Sequence, residues 1–526
     1  MGILTILCLI PLIGSVVVGF VPGTPARSKQ IALAFAALTF VVAVVAITQY
    51  DTGSAEQFQL IDNYEWIPAL GVSFALGVEG LGLIMVLLAT LLTPLVILAG
   101  WNDVEDSAAQ DSADQAPGQV RGYFALMLLM LAMTLTLFTA LDVFLFYFMF
   151  EAVLIPVYFM IGRYGTGRRT YAAVKFLVFS LASGLVMLAG LAVLWYASSQ
   201  VLGEPNLYLP DLIDIDIDPT LQTWIFWAFF IAFAVKAPLW PLHTWLPDAS
   251  GSATPGTAIL LIGVLDKLGS FGMLRFCLPL FPEAAQNAAP VIIALSLVSI
   301  FYGGLVAIGQ TDMKRMFGYV SISHFGFIIL GIFVFTTQGQ VGSTFYMLGH
   351  GISTALLFMV AGYMITRRKT SAIAQYRGVS KPAPVLAGML LFAGLTALAL
   401  PGLSTFLSEF LVLLGAFVSN PWVGAFATLG IILAAVYILY FYQRTMTGPL
   451  KPGLETMKDL TGREMVAVVP LVALIIALGV FPGVALDVIN PAVNQTLVAV
   501  GVQDPAVGVN ADCTFTDGCL TGGEGQ

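Results

Sequence analysis

Residues 222–248 read QTWIFWAFFIAFAVKAPLWPLHTWLPD. The run 222–246 is apolar almost throughout and carries one full charge, Lys236. A helix of about 20 apolar residues crosses the hydrocarbon layer of a bilayer, so this run is long enough to span one. It does not read as one straight helix. Proline lacks the backbone N–H and its ring clashes with the preceding turn, so Pro238 and Pro241 predict a break just after Lys236. Broken backbone at membrane depth is tolerated only where protein covers it or where it lines a wet cavity. A lysine beside such a break points to a polar interior enclosed by other helices.

The rest of the chain supplies those helices. Of 526 residues, 59% are hydrophobic and 10% charged, with a mean hydropathy of +0.93. Soluble domains carry about 25% charged residues. This composition excludes a cytoplasmic enzyme, a secreted domain and a nucleic-acid binder. Long apolar runs also argue against a barrel, whose strands alternate over about 10 residues. The runs predict an all-α polytopic membrane protein with about 14 transmembrane helices: 2–22, 30–49, 79–101, 122–141, 143–162, 174–198, 222–246, 256–276, 290–309, 318–337, 343–366, 384–416, 422–442 and 466–490. The twelfth is too long for one straight helix and carries Pro401-Gly402, which predicts a second break. Met1–Phe20 lacks a basic leader and a small-residue cleavage site, and reads as a retained first helix. No extramembrane stretch is long enough to bury a core of its own.

Basic residues orient the spans, because Lys and Arg are retained on the cytoplasmic side. With the N-terminus outside, the inner loops hold Arg27, Lys29, Arg121, Arg163, Arg168, Arg169, Lys175, Lys314, Arg315, Arg367, Arg368, Lys369, Arg377, Lys381, Arg444, Lys451, Lys458 and Arg463. Only Lys236, Lys267 and Arg275 of the 21 basic residues remain. The outer loops are acidic, with Asp51, Glu56, Asp62, Glu65, Glu204 and the run Asp211–Asp218. The basic-free tail after about 491 is expected outside. There, Cys513 and Cys519 form a small disulfide loop if that side is oxidising. Neither they nor Cys8 and Cys277 form a C-x-x-C pair, so a cluster or zinc site has no support.

Charges inside a bilayer are expensive and mark functional interiors. The candidates are Glu151 in the fifth span, Lys236 in the seventh, Lys267 in the eighth with Asp266 beside it, His324 in the tenth, His350 in the eleventh and Glu409 in the twelfth. His243 follows Lys236 by seven residues, two turns along one helical face. Taken singly, a buried Lys–Glu pair is often structural and a lone histidine is often scaffolding. Asp142 and Asp248 border spans and read as caps or interfacial residues. Glu79 is expected to face headgroups at the start of the third span, and Arg275 to snorkel outward. The series as a whole resists the structural explanation: acid, base, base, imidazole, imidazole and acid occupy six spans. Burial penalises charge on lysine and carboxylate alike and an opposite charge restores it, so breaking a Glu151–Lys236 pair would promote proton release. Histidine suits the connecting positions. By orientation, spans 4–8 and 9–13 form two five-helix sets of opposite polarity, each with its break at the fourth helix, as in inverted-repeat transporters. This divides the chain into 1–115, 116–285, 286–445 and 446–526.

These residues also carry a resemblance. FAVKAPLWPLHTWLPD at 233–248, followed in order by SISHFGF at 321–327, HGISTALLF at 350–358 and FLSEF at 406–410, closely resembles the antiporter-like membrane subunits of respiratory complex I and related cation/proton antiporters. The resemblance covers nearly the whole chain. It implies fourteen helices with two inverted five-helix repeats, a place in the membrane arm beside neighbouring antiporter-like subunits, and proton translocation driven by quinone reduction elsewhere. Glu151 and Lys236 would be the coupling pair, Lys267 the central carrier, His324 and His350 connecting groups, and Glu409 the terminal group. His243 and Asp248 would belong to an inner inlet. Flavin, iron–sulfur clusters and quinone would belong to partner subunits, with no cofactor or metal in this chain. The implied location is a bacterial cytoplasmic membrane with both termini outside. A subunit of a multi-subunit cation/proton antiporter is the alternative. Sister subunits typically carry Lys at the position of Glu409, and one carries a long amphipathic C-terminal helix, for which no segment follows 490. Two stretches depart from the usual pattern: PGLSTFLSEF at 401–410, and the Asp directly before Lys267. Adjacent residues lie about 100° apart on a helix, so Asp266 is not expected to need Lys267 as its partner.

Overall fold

The computed structural model describes residues 2–54, 56–110, 117–213 and 215–502. Cys513, Cys519 and the rest of 503–526 lie outside the described residues. Among the described residues, thirteen helices are long and apolar enough to cross a membrane. Twelve are expected spans: Ile3–Phe20, Pro25–Gln49, Gly80–Ala99, Gly118–Thr139, Val143–Tyr164, Arg169–Leu202, Pro255–Leu280, Pro282–Ile308, Met313–Phe333, Thr337–Arg368, Pro421–Met446 and Gly462–Val480. They are spans 1–6, 8–11, 13 and 14. The other two spans are broken as expected. Span 7 runs Pro219–Lys236 and resumes at Trp245–Ser252. Span 12 runs Pro384–Ala397 and resumes at Ser404–Ser419, with Gly402 at φ +89° in the gap.

The spans start where a short polar side chain can satisfy their first N–H groups. Asp142, Asp218, Asp312, Thr336 and Asn420 cap spans 5, 7, 10, 11 and 13, and Thr461 forms a reciprocal box with Glu464 at span 14. Spans 8, 10 and 11 are buried almost all round, whereas spans 2, 6 and 13 bury only a stripe. Every charge or imidazole on the three central spans must therefore find its partner in protein.

Two features were not expected. The loop between spans 2 and 3 folds into a hairpin of β1 (Gln59–Ile67) and β2 (Val72–Val78), with Tyr64 opposite Phe74. Its edge joins the loops after spans 4 and 6 through Leu141 N–H to Ala75 O (2.8 Å) and Leu207 N–H to Gly71 O (3.3 Å). The last span also stops at Val480, ten residues early, because Pro482 cannot continue it. A separate helix, Gly483–Val500, runs through what was expected to be tail. It buries Ala485, Ile489, Ala492, Val493 and Leu497 against spans 3 and 11 at the hairpin end, and the Gln286 side chain donates to Val500 O at 2.7 Å.

Candidate functional site

Span 8 is not a uniform α-helix. Leu261–Leu265 form a π turn, and the Asp266 N–H reaches back five residues to Leu261 O at 3.1 Å. Such a wide turn changes the angular offset of the residues beyond it and frees carbonyls. Asp266 and Lys267, which helical spacing did not require to pair, close into an ion pair of 2.9 Å. The Lys267 ammonium completes its shell with Ile262 O at 2.5 Å and His350 Nδ1 at 2.7 Å. Across the pair, Ser321 Oγ donates to Asp266 Oδ2 at 3.3 Å. Lys267 is 0% exposed, yet all three ammonium donors have acceptors, which is what a charge in this environment requires.

The polar series continues beyond His350. Its ring stands edge-on to that of His324, with centroids 5.2 Å apart. His324 Nε2 lies 3.1 Å from the Tyr437 hydroxyl of span 13. The His324 ring is 5.8 Å from that of Tyr346, whose hydroxyl donates to Glu409 Oε1. Glu409 Oε2 and His350 Nε2 are buried with no hydrogen-bond partner, so each end of this stretch keeps a free site for a proton or a water. Imidazole and phenol can each donate and accept, so a turn of one ring or one bridging water links neighbours into a chain.

The first half of the molecule is arranged differently. Glu151 sits at an interruption of span 5 at Val153, where Pro156 removes a helical donor. Its carboxyl lies against Gly184 of span 6, where any side chain would collide with it. Lys236 is buried over the faces of Phe150 (4.7 Å) and Phe176 (5.7 Å). The two charges act on one another, but Glu151 Oε1 has no hydrogen-bond partner and no ion pair closes between them. Among the described residues no hydrogen bond joins Lys236 to Lys267 either. His243 does not share a helical face with Lys236, because residues 237–244 are the non-helical break. Its ring instead packs 4.9 Å from Tyr302, with both nitrogens unbonded. Asp248 binds Lys175 (2.7 Å) and Arg315 at the basic end, away from the central chain.

Two residues of the central chain were missed. Tyr346 lies four before His350, on the same face of span 11, and that spacing was legible. Tyr437 carries no charge in an apolar span and left no signal. A second buried charge pair overturns two expectations. Arg275 does not snorkel and Glu79 does not face headgroups. They pair inside the hairpin end, with Arg275 Nε 3.1 Å from Glu79 Oε1 and Nη1 bound to Phe138 O (2.9 Å) and Ala140 O (3.1 Å). Those carbonyls close span 4 and lack helical partners, so they invite a buried guanidinium. Among the described residues no cluster of three His, Cys, Asp or Glu side chains could hold a metal.

Residues 140–434 match the family described as NADH:quinone oxidoreductase/Mrp antiporter, transmembrane. The sequence is 46% identical to NADH-quinone oxidoreductase subunit M of Mycobacterium tuberculosis over 96% of both chains. It is 34% identical to NADH-ubiquinone oxidoreductase chain 4 of Arabidopsis thaliana over 93% of this chain and 96% of that one. A chain of respiratory complex I from Thermus thermophilus superposes with a TM-score of 0.84 at 31% identity, covering 95% of this chain and all of that one. A chain of the Mrp complex from a Dietzia species shares the fold, with a TM-score of 0.82 at 19% identity over 94% and 98%.

Proposed function

The chain belongs to the NADH:quinone oxidoreductase/Mrp antiporter transmembrane family, and on that premise we propose that it is the proton-translocating subunit M of a bacterial NADH:quinone oxidoreductase. It carries no redox centre. Flavin, iron–sulfur clusters and quinone belong to partner subunits, and neighbouring antiporter-like subunits flank it in the membrane arm. The basic end faces the cytoplasm and both termini face outward. Residues 116–285 and 286–445 act as two inverted five-helix units, with 1–115 and 446–526 around them.

One observation carries this reading: buried titratable groups run from Asp266 through Lys267, His350, His324 and Tyr346 to Glu409, across spans 8, 10, 11 and 12. Lys267 holds a proton between a carboxylate and an imidazole. The two histidines and Tyr346 pass it laterally, and Glu409 receives it. Glu151 and Lys236, charged but not closed into a pair, form the coupling element whose approach or separation changes the field on the rest. His243 and Asp248 line the inlet at the basic end. Glu409→Gln keeps the shape of the terminal group and removes its titration. In the assembled complex reconstituted into vesicles, NADH-driven acidification is expected to fall several-fold. Unchanged pumping per NADH in that variant removes Glu409 from the path. Copurification settles the alternative: flavin and iron–sulfur partners fit this reading, whereas a set of small antiporter subunits would make the chain part of a cation/proton antiporter.

A further inference from the structure

Span 13 presents one continuous apolar face. Trp422, Phe426, Leu429, Val436 and Tyr440 follow helical spacing and are all exposed, Trp422 by 75% and Tyr440 by 45%. The two exposed aromatics at its ends are 18 residues apart, or about 27 Å at the helical rise. That matches the hydrocarbon thickness of about 30 Å, with an aromatic side chain at each interface. Arg444 lies one turn beyond Tyr440, about 6 Å further along the axis and therefore at the level of lipid phosphates.

At that level the chain forms an open cleft of about 690 Å³. Arg377, Arg444 and Lys451 line it, and no acidic residue does. Several other cations on this end have carboxylate partners: Arg367 with Glu464, Lys369 with Asp106, and Lys175 and Arg315 with Asp248. Among the described residues none of the three cleft cations has one. Two of them are held in place. Arg444 stacks over the Tyr440 ring at 5.1 Å, and Lys451 Nζ spends one donor on Ala374 O at 2.6 Å. Gly448, at φ +89°, forms the turn beside Arg377, where a Cβ would stand 3.0 Å from the guanidinium Nε. Three cations without a carboxylate partner, gathered around one cleft at phosphate depth below an exposed apolar helix face, are complementary to a single class of ligand.

We propose that this cleft binds the phosphate of an anionic glycerophospholipid of that leaflet, with its acyl chains lying along span 13. Guanidinium groups suit the phosphate oxygens through paired N–H donors, and Lys451 adds a point charge. Basic clefts between membrane helices on the cytoplasmic side are suited to such headgroups. The site is independent of the proton path and stands or falls without it.

The test uses the intact membrane assembly and phosphatidylglycerol carrying a photoreactive acyl chain. Labelling is expected on the peptide spanning Phe426–Tyr440. Unlabelled phosphatidylglycerol should compete, whereas phosphatidylcholine and inorganic phosphate should not. Each of Arg377→Gln, Arg444→Gln and Lys451→Gln should lower labelling about fivefold, and the triple variant about a hundredfold. Arg377→Lys with Arg444→Lys keeps the charge and most of the labelling, which separates lost binding from lost folding. Labelling of the triple variant within twofold of wild type, or equal competition by phosphatidylcholine, overturns the proposal. Competition by inorganic phosphate alone would make the cleft a free-anion site and overturn the lipid assignment.

Discussion

Lys267 and Arg275 stand eight residues apart on span 8, both buried cations and each beside a carboxylate. Their shells differ. Lys267 is bound by Asp266, one carbonyl and an imidazole, and the imidazole can itself take a proton. Arg275 is bound by both oxygens of Glu79 and by two helix-end carbonyls, none of which accepts a proton while the guanidinium keeps its charge. Lysine can release its proton when its surroundings change, and arginine effectively cannot. Burial alone therefore does not mark a transport group. The distinguishing features are whether the cation can become neutral and whether a neighbour can receive what it gives up.

The comparison breaks first at Lys267→Arg. Charge and approximate length survive, but the proton is no longer released, so NADH-linked pumping should fall below about a tenth while the complex still assembles. Normal pumping would place Lys267 with Arg275, among the structural cations. The converse change is Arg275→Gln. It leaves Glu79 buried without its counter-ion, a loss of about 3–5 kcal/mol. The expected result is poor assembly, read by native gel, with normal coupling in whatever complex forms. A well-assembled but uncoupled variant would move Arg275 into the transport machinery. Tyr346→Phe sharpens the contrast further along the path. It removes the hydroxyl between His324 and Glu409 and leaves the ring in place. A lost hydrogen bond to a charged group costs about 1.5–3 kcal/mol of stability, so the complex should still assemble while pumping falls about tenfold or more. Equal loss of assembly and pumping would make the hydroxyl a packing contact.

Much of this was legible before any coordinates. Composition and the apolar runs dictate fourteen crossings. Pro238, Pro241 and Pro401-Gly402 dictate where two of them break, because a missing donor acts at its own position. Lys267, His324, His350 and Glu409 announced themselves as charges or imidazoles in apolar surroundings, and the fold brings them together. What was not legible depends on geometry that no local rule encodes. Asp266 pairs with Lys267 just beyond a π turn at Leu261–Leu265, a pairing that α-helical spacing left open. Glu79 and Arg275 lie 196 positions apart and meet only because the ends of spans 3, 4 and 8 converge. Tyr437 is one aromatic among many. The hairpin 59–78 hid in a loop that reads as acidic. The helix Gly483–Val500 hid behind Pro482 in a segment with too little hydropathy to stand out.

The smallest predicted effect concerns the start of the same span 8. Asp103, in the short helix Asp103–Gln110 outside the membrane, accepts the Gly256 N–H at 2.7 Å, one residue into the span. Two forces oppose each other there. A helix N-terminus favours the carboxylate, and burial disfavours it. Burial dominates: it pushes the Asp103 carboxyl up to about 6, with the Gly256 hydrogen bond only partly offsetting it. The folded state then holds this proton more tightly than the unfolded chain. Both are protonated below about pH 4 and both ionised above about pH 6, so stability falls as pH rises between those values. Asp103→Asn keeps an acceptor for Gly256 and loses the titration. Raising the pH from 4 to 7 should therefore shrink the wild type's advantage in melting temperature over the variant by about a few degrees at most. If that advantage grows instead, the helix terminus outweighs burial at this site, and Asp103 carries a full charge wherever the protein works.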